Sequence, residues 1–210
     1  MERCLLFIVV LAELENFMEP LLISTGVVAL AEIGDKTQLL AFILAARFKK
    51  PLPIILGILV ATLVNHGLAG ALGAWITASV DAVILRWVLG VSFIAMAGWT
   101  LVPDKIEEEE TAVALKLGVF GATLVTFFLA EMGDKTQIAT VALAAHFAAP
   151  WAVVAGTTLG MLIADVPAVF LGDKLAGRIP MTWVHRIAAS IFAALGIATL
   201  IGFGNSLMPY

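Results

Sequence analysis

Two short stretches hold most of the chemistry available to this chain. Glu32, Asp35, Lys36, Thr37 and Gln38 recur in the same order and spacing as Glu131, Asp134, Lys135, Thr136 and Gln137, each set inside an apolar run. On a continuous helix Glu32 and Asp35 share one face, which Gln38 extends, and Glu131, Asp134 and Gln137 repeat that face. Carboxylate, amide and hydroxyl oxygens suit hard cations such as Mg²⁺, Ca²⁺ and Mn²⁺, whereas Zn²⁺ and Cu⁺ favour sulfur and imidazole. The four motif carboxylates exceed the two lysine ammonium groups by two negative charges. One divalent cation or two protons would balance that excess, which suggests exchange of one for the other.

Their setting makes these residues expensive. A charged side chain at mid-helix in a membrane costs about 2.5–3.5 kcal/mol for insertion, against about 0.3–0.6 gained per Leu or Ile. The six charged groups of the motifs together cost roughly 15–20 kcal/mol before any pairing. A structural alternative is that Glu32–Lys36 and Glu131–Lys135 are ion pairs four residues apart that pin helices together. Buried pairs stabilise poorly compared with apolar packing, and Asp35 and Asp134 stay acidic in excess. The carboxylates therefore read as metal ligands, and Lys36 and Lys135 as charge partners or structural pins.

Further polar groups occur at aligned positions. Asn65–His66 corresponds to Ala164–Asp165, so the repeat diverges where ligands could differ. Asp165 is a fifth intramembrane carboxylate and a candidate metal ligand. Asn65, Thr37, Gln38, Thr136 and Gln137 are supporting polar groups. His66 reads as a ligand or as a satisfied core residue. Pro167 removes a donor to the Ile163 carbonyl, which leaves an oxygen for the site or simply reflects helix packing. Cys4 is the single cysteine, which excludes an internal disulfide and a thiolate cluster.

The elements that position these residues are membrane helices. The 210 residues are 61% hydrophobic and 13% charged, with mean hydropathy +1.05, against about 25% charged in a soluble domain. Long apolar runs predict six transmembrane helices near 20–46, 52–79, 82–102, 113–147, 151–176 and 181–207. Arg47, Lys49, Lys50, Lys105, Lys116, Lys174, Arg178 and Arg186 fall at the loops between spans 1 and 2, 3 and 4, and 5 and 6, while only Arg3 and Arg86 fall opposite. The positive-inside rule puts those loops in the cytoplasm and both termini outside. The glycines Gly67, Gly70, Gly73, Gly90, Gly98, Gly196, Gly202 and Gly204 read as close helix contacts. Trp75, Trp87, Trp99, Trp151 and Trp183 read as interfacial anchors. Glu107 to Glu110 reads as a solvated acidic run. No basic run or nucleic-acid motif is present, so nucleic acid is not an expected partner.

Residues 31–73 align without gaps to 130–172 at a constant offset, and Ala-Glu-Ile-Gly-Asp-Lys-Thr-Gln differs from Ala-Glu-Met-Gly-Asp-Lys-Thr-Gln at one position. Three spans separate the copies, so they enter the membrane from opposite sides. That is the inverted-repeat plan, with a site near the midplane between the halves. The expected organisation is an amino-terminal extension at 1–17 with no assigned role, a first three-helix repeat at 18–102, an acidic cytoplasmic loop at 103–112 and a second repeat at 113–210. Met18 reads as a sensible alternative start.

Two copies of Glu-x-Gly-Asp-Lys-Thr, at 32–37 and 131–136, resemble the signature of the GDT1 family, also called uncharacterised protein family 16. The resemblance covers residues 18–210 and implies six membrane helices, Mn²⁺ or Ca²⁺ transport, and proton exchange. By position it makes Glu32, Asp35, Glu131 and Asp134 the cation-binding carboxylates. The short central loop looks like that of bacterial members. The expectation is thus a secondary transporter, not an enzyme, exporting a hard divalent cation, foremost Mn²⁺, across a bacterial inner membrane. Its partners are the metal ion, protons and the bilayer, and it needs no cofactor. The alternatives are a Ca²⁺/H⁺ antiporter, a passive divalent-cation channel and an intramembrane aspartyl protease. The protease fits poorly, because Glu-Ile-Gly and not Gly-x-Gly precedes Asp35.

Overall fold

The computed structural model describes residues 2–102, 117–171 and 181–202. Lys105, Lys116, Lys174, Arg178, Gly204 and the Glu107 to Glu110 run lie outside the described residues. All regular structure among those described is helical: α1 (Glu2–Glu32), α2 (Lys36–Phe48), α3 (Pro51–Ser79), α4 (Ala82–Thr100), α5 (Gly118–Glu131), α6 (Lys135–Phe147), α7 (Pro150–Leu171) and α8 (Met181–Ile201). Five stretches are long and apolar enough to cross a membrane: Leu14–Glu32, Pro51–Ser79, Ala82–Thr100, Pro150–Phe170 and Thr182–Ile201. The shorter apolar helix is Gly118–Glu131. The chain is a multi-pass membrane protein.

The continuous helices expected over 20–46 and 113–147 are each broken in the middle. Gly34 and Gly133 adopt φ of +86° and +75°, a left-handed conformation that glycine takes without a Cβ clash. The aspartate that follows takes an extended conformation at the N-cap of the next helix, where Asp35 Oδ1 accepts from the Lys36 amide. A Gly-Asp pair thus ends one helix and starts another, and the surrounding apolar length hid that punctuation. Glu32 and Asp35 consequently do not share a helix face: Glu32 is the last residue of α1 and Asp35 the N-cap of α2. The same correction holds for Glu131 and Asp134. With 14 and 13 residues, α5 and α6 each reach about 20 Å, short of a bilayer core of about 30 Å. They do not pack along one another, so one continues the other as a broken span.

Packing follows an exchange rule. The most extensive contact, α1 on α7, has its counterpart in α3 on α5, and α4 packs on α8. The rule reaches single residues. A Cβ on Gly57 would lie 2.7 Å from the Thr123 side chain, and one on Gly156 would lie 3.0 Å from that of Ser24. Each residue of the second pair is the repeat-mate of one in the first. Helices without bulk at the crossing approach closely, the usual device where lipid offers no hydrophobic drive. Gly90 and Gly196 do the same between α4 and α8. Of the glycines expected at contacts, Gly67 and Gly98 face open space instead, and Gly202 has φ of +76° at the end of α8. Among the described residues, nothing lies within 4 Å of a Cβ built on Gly67 or Gly98. Trp75, Trp87, Trp99, Trp151 and Trp183 are exposed, as anchors at a lipid boundary require.

The tightest crossing gives a test of this packing. A Cβ on Gly160 would lie 2.7 Å from the Thr25 carbonyl, and one on Gly156 would strike that of Leu21. Gly156→Val or Gly160→Val should therefore cost about 1–3 kcal/mol or more through overpacking, while Gly67→Ala should be nearly neutral. Thermal melting in detergent measures the difference, and equal effects at all three positions would contradict the packing.

Candidate cation site

The two helix breaks bring both motifs to one buried place. One oxygen each from Glu32, Asp35 and Asp134 lies within 4.8 Å of the others, and all three residues are buried. Glu131, also fully buried, stands close enough to Glu32 and Asp134 for their charges to repel. Asp165 on α7 is also fully buried, close enough to Glu32 and Asp35 for their charges to repel. Neither of its oxygens has a hydrogen-bond partner among the described residues, and the same holds for Oε1 of Glu32 and of Glu131. Carboxylate oxygens of this kind, packed together away from water, call for cations.

Each break is built from the same set of bonds. Thr37 Oγ1 donates to Glu32 Oε2 at 2.5 Å, and Thr136 Oγ1 donates to Glu131 Oε2 at 2.8 Å. Gln38 Oε1 accepts from the Gly34 amide at 3.0 Å, and Gln137 Oε1 accepts from the Gly133 amide at 2.8 Å. The threonines and glutamines thus tie the start of the second half-helix to the end of the first. The threonines hold one oxygen of each glutamate and leave the other without a hydrogen-bond partner among the described residues.

The glutamine amides then reach the other repeat. Gln137 Nε2 donates to Asn65 Oδ1 at 3.4 Å, and Asn65 Nδ2 donates to the Phe128 carbonyl at 3.0 Å. That carbonyl would serve the Met132 amide in an unbroken helix, but Met132 N turns to Leu129 instead. On the other side Ala164 replaces the asparagine, and Gln38 Nε2 donates to the Ala164 carbonyl at 2.9 Å. A backbone carbonyl of α7 near Pro167, that of Ala164, thus joins the network around the break.

Each lysine reaches the aspartate of the other motif. Lys135 Nζ lies 2.8 Å from Asp35 Oδ2, and Lys36 Nζ lies 3.8 Å from Asp134 Oδ1. Both pairings cross between the repeats, unlike the Glu32–Lys36 and Glu131–Lys135 pairs of the structural alternative. The break is the reason, because it puts Glu32 and Lys36 on separate helices. His66 is buried on α3, yet it is not among the residues whose donor atoms converge. Missed in the sequence were the buried hydroxyls of Ser24, Thr62 and Thr158, since isolated Ser and Thr are common in membrane helices.

Paired broken spans that present carboxylates to a shared centre occur where transporters bind cations, and the family comparison agrees. This chain belongs to the GDT1 family. The family model described as "Divalent cation/proton antiporter GDT1" matches residues 20–108 and 119–205. A Vibrio cholerae protein named "Putative manganese exporter" is 49% identical over 187 residues, covering 88% of this chain and 92% of that protein. A GDT1-like protein of Synechocystis is 32% identical over 82% of this chain and 92% of its own length. A GDT1-like protein of Oryza sativa subsp. japonica is 30% identical over 88% of this chain and 74% of its own length. No solved structure matches the chain. A GDT1-family member that carries both motifs is a divalent cation/proton transporter of the bilayer.

The geometry separates two kinds of substitution. Glu32→Gln, Asp35→Asn, Glu131→Gln and Asp134→Asn keep shape but remove charge, so the helices should insert normally while transport falls at least about tenfold. Thr37→Val and Thr136→Val remove only the orienting bond and should weaken metal affinity by roughly 10–100-fold, with transport recovering at high metal. Metal export and binding by the purified variants check both, and two or more amide variants at wild-type activity would reject the carboxylate site.

Proposed function

We propose that this chain exports Mn²⁺ from a bacterial cytoplasm in exchange for protons, through a single site shared by its two halves. The observation that carries the reading is the convergence of Glu32, Asp35 and Asp134 from two separate helix breaks, with Glu131 and Asp165 beside them. An oxygen-only set selects a hard cation, and the relative named as a manganese exporter points to Mn²⁺ among these. The transported metal is substrate, and no catalytic group or cofactor enters the mechanism.

Residues 18–102 and 113–210 form two halves inverted about an axis in the membrane plane, with 103–112 as the cytoplasmic connection and 1–17 outside the repeat. Both termini lie outside the cytoplasm of a bacterial inner membrane. The exchange-related contacts Gly57–Thr123 and Gly156–Ser24, and the two crossing Lys–Asp pairs, support this plan.

The carboxylates hold either the cation or protons. A divalent ion arriving from the cytoplasm displaces protons to that side. After its release outside, protons from the exterior neutralise the same oxygens. Two protons per divalent ion keep the charge of the site equal in both loaded forms, so either can be enclosed. The empty, fully ionised cluster is costly to bury, which suppresses leak without exchange.

In proteoliposomes an imposed proton gradient, acidic on the side equivalent to the exterior, should drive Mn²⁺ toward that side against its own gradient. Transport should slow as the exterior pH rises, because fewer protons are available to complete the cycle. With membrane potential clamped, metal flux that ignores the pH gradient would overturn exchange and indicate a channel.

A further inference from the structure

The two crossing lysine–aspartate pairs are made by identical motifs, yet they differ. Lys135 and Asp35 stand 2.8 Å apart with side-chain exposures of 2% and 0%. Lys36 and Asp134 are 3.8 Å apart, with the Lys36 side chain 23% exposed. One pair is closed and sealed, and the other is loose and reachable.

Their places along the membrane differ too. Lys36 opens α2 and Lys135 opens α6. In the antiparallel arrangement proposed above, α2 runs from the midplane to the cytoplasm and α6 from the midplane to the exterior. Lys36 therefore stands on the cytoplasmic side of the carboxylate cluster, and Lys135 on the exterior side. A cation bound by Asp35 would meet the Lys135 ammonium at the same carboxylate, so the two compete for its charge.

We propose that Lys135 and Lys36 are the exterior and cytoplasmic gates of the site, each closing its end by binding the opposing repeat's aspartate. The structure is then nearer the cytoplasm-facing form, with Lys135 close on Asp35 at 2.8 Å and Lys36 held more loosely to Asp134 at 3.8 Å. Change of facing exchanges the two roles: Lys36 closes on Asp134 and Lys135 leaves Asp35. The lysines act as positioning residues that decide which end is open, while the carboxylates bind the ion. This assignment rests on the two-sided exchange reading.

Cys4 is the single cysteine, so a Cys4→Ser background allows the test by side-specific labelling. Lys36→Cys and Lys135→Cys are placed separately in that background, in right-side-out and inside-out vesicles. A charged, membrane-impermeant methanethiosulfonate is then added. Cysteine at 36 should react only from the cytoplasmic face and cysteine at 135 only from the exterior face. Restoring an ammonium with 2-aminoethyl methanethiosulfonate should raise Mn²⁺ transport at least about fivefold over the unlabelled variant, whereas neutral methyl methanethiosulfonate should not. Reaction of both positions from one face, or equal rescue by the neutral reagent, would overturn the gates.

Should Lys135→Cys fail to insert, Lys135→Arg and Lys36→Cys serve. The arginine keeps the charge and should retain transport, and cysteine at 36 should still react only from the cytoplasmic face. Loss of transport in a well-folded Lys135→Arg variant, or reaction of position 36 from the exterior, would count against the gates. Labelling needs no transport. Wild-type protein that moves Mn²⁺ without regard to protons would remove the exchange reading while leaving the sidedness result intact.

Discussion

Lys135 of the second repeat meets Asp35 of the first at 2.8 Å, with almost no solvent on either side chain. Removing one partner of such a pair costs roughly 3–5 kcal/mol, because the other charge is left buried alone. The contact therefore binds the halves together at the level of the helix breaks. It also requires that both breaks exist. Only an interrupted helix can turn an aspartate and a lysine toward the opposing repeat while its glutamate stays at the end of the preceding segment.

From that constraint the surrounding packing follows. Two broken spans must lie side by side at their weakest points, where backbone groups lack helical partners. The sequence meets this locally with Thr37, Thr136, Gln38 and Gln137, and across the repeats with Asn65 and the Ala164 carbonyl. The intact helices α3 and α7 hold the broken ones in place, α3 against α5 and α7 against α1, through crossings stripped to glycine. Helices α4 and α8 pack on each other and against α1 and α6. Intact helices around interrupted ones fix the position of the site.

Much of this was legible in the residues. The doubled Glu-x-Gly-Asp-Lys-Thr motif identified the family and the candidate carboxylates, and apolar length located the membrane helices. The breaks were written as Gly34–Asp35 and Gly133–Asp134, yet a search for apolar runs passes over two residues of punctuation. Lysine pairing could not be read from spacing. Four-residue separation favours Glu32–Lys36 only on an intact helix, and the actual partners are nearly 100 positions away in sequence. Glycine roles divided by facing, which periodicity alone does not give: Gly156 and Gly160 meet α1, while no described residue comes within 4 Å of a Cβ built on Gly67. Asp165 was marked by its charge in an apolar helix, and its closeness to Glu32 and Asp35 required the fold.

The central claim is that both repeats contribute oxygen ligands to one cation. Crystals of the protein grown with Mn²⁺ and measured at the manganese absorption edge test it most directly. The account predicts one strong anomalous peak per chain, at coordination distance from carboxylate oxygens of both the 32–35 and the 131–134 segments, with no sulfur ligand. Two separate peaks, each held by a single repeat, or a peak remote from both breaks, would contradict it.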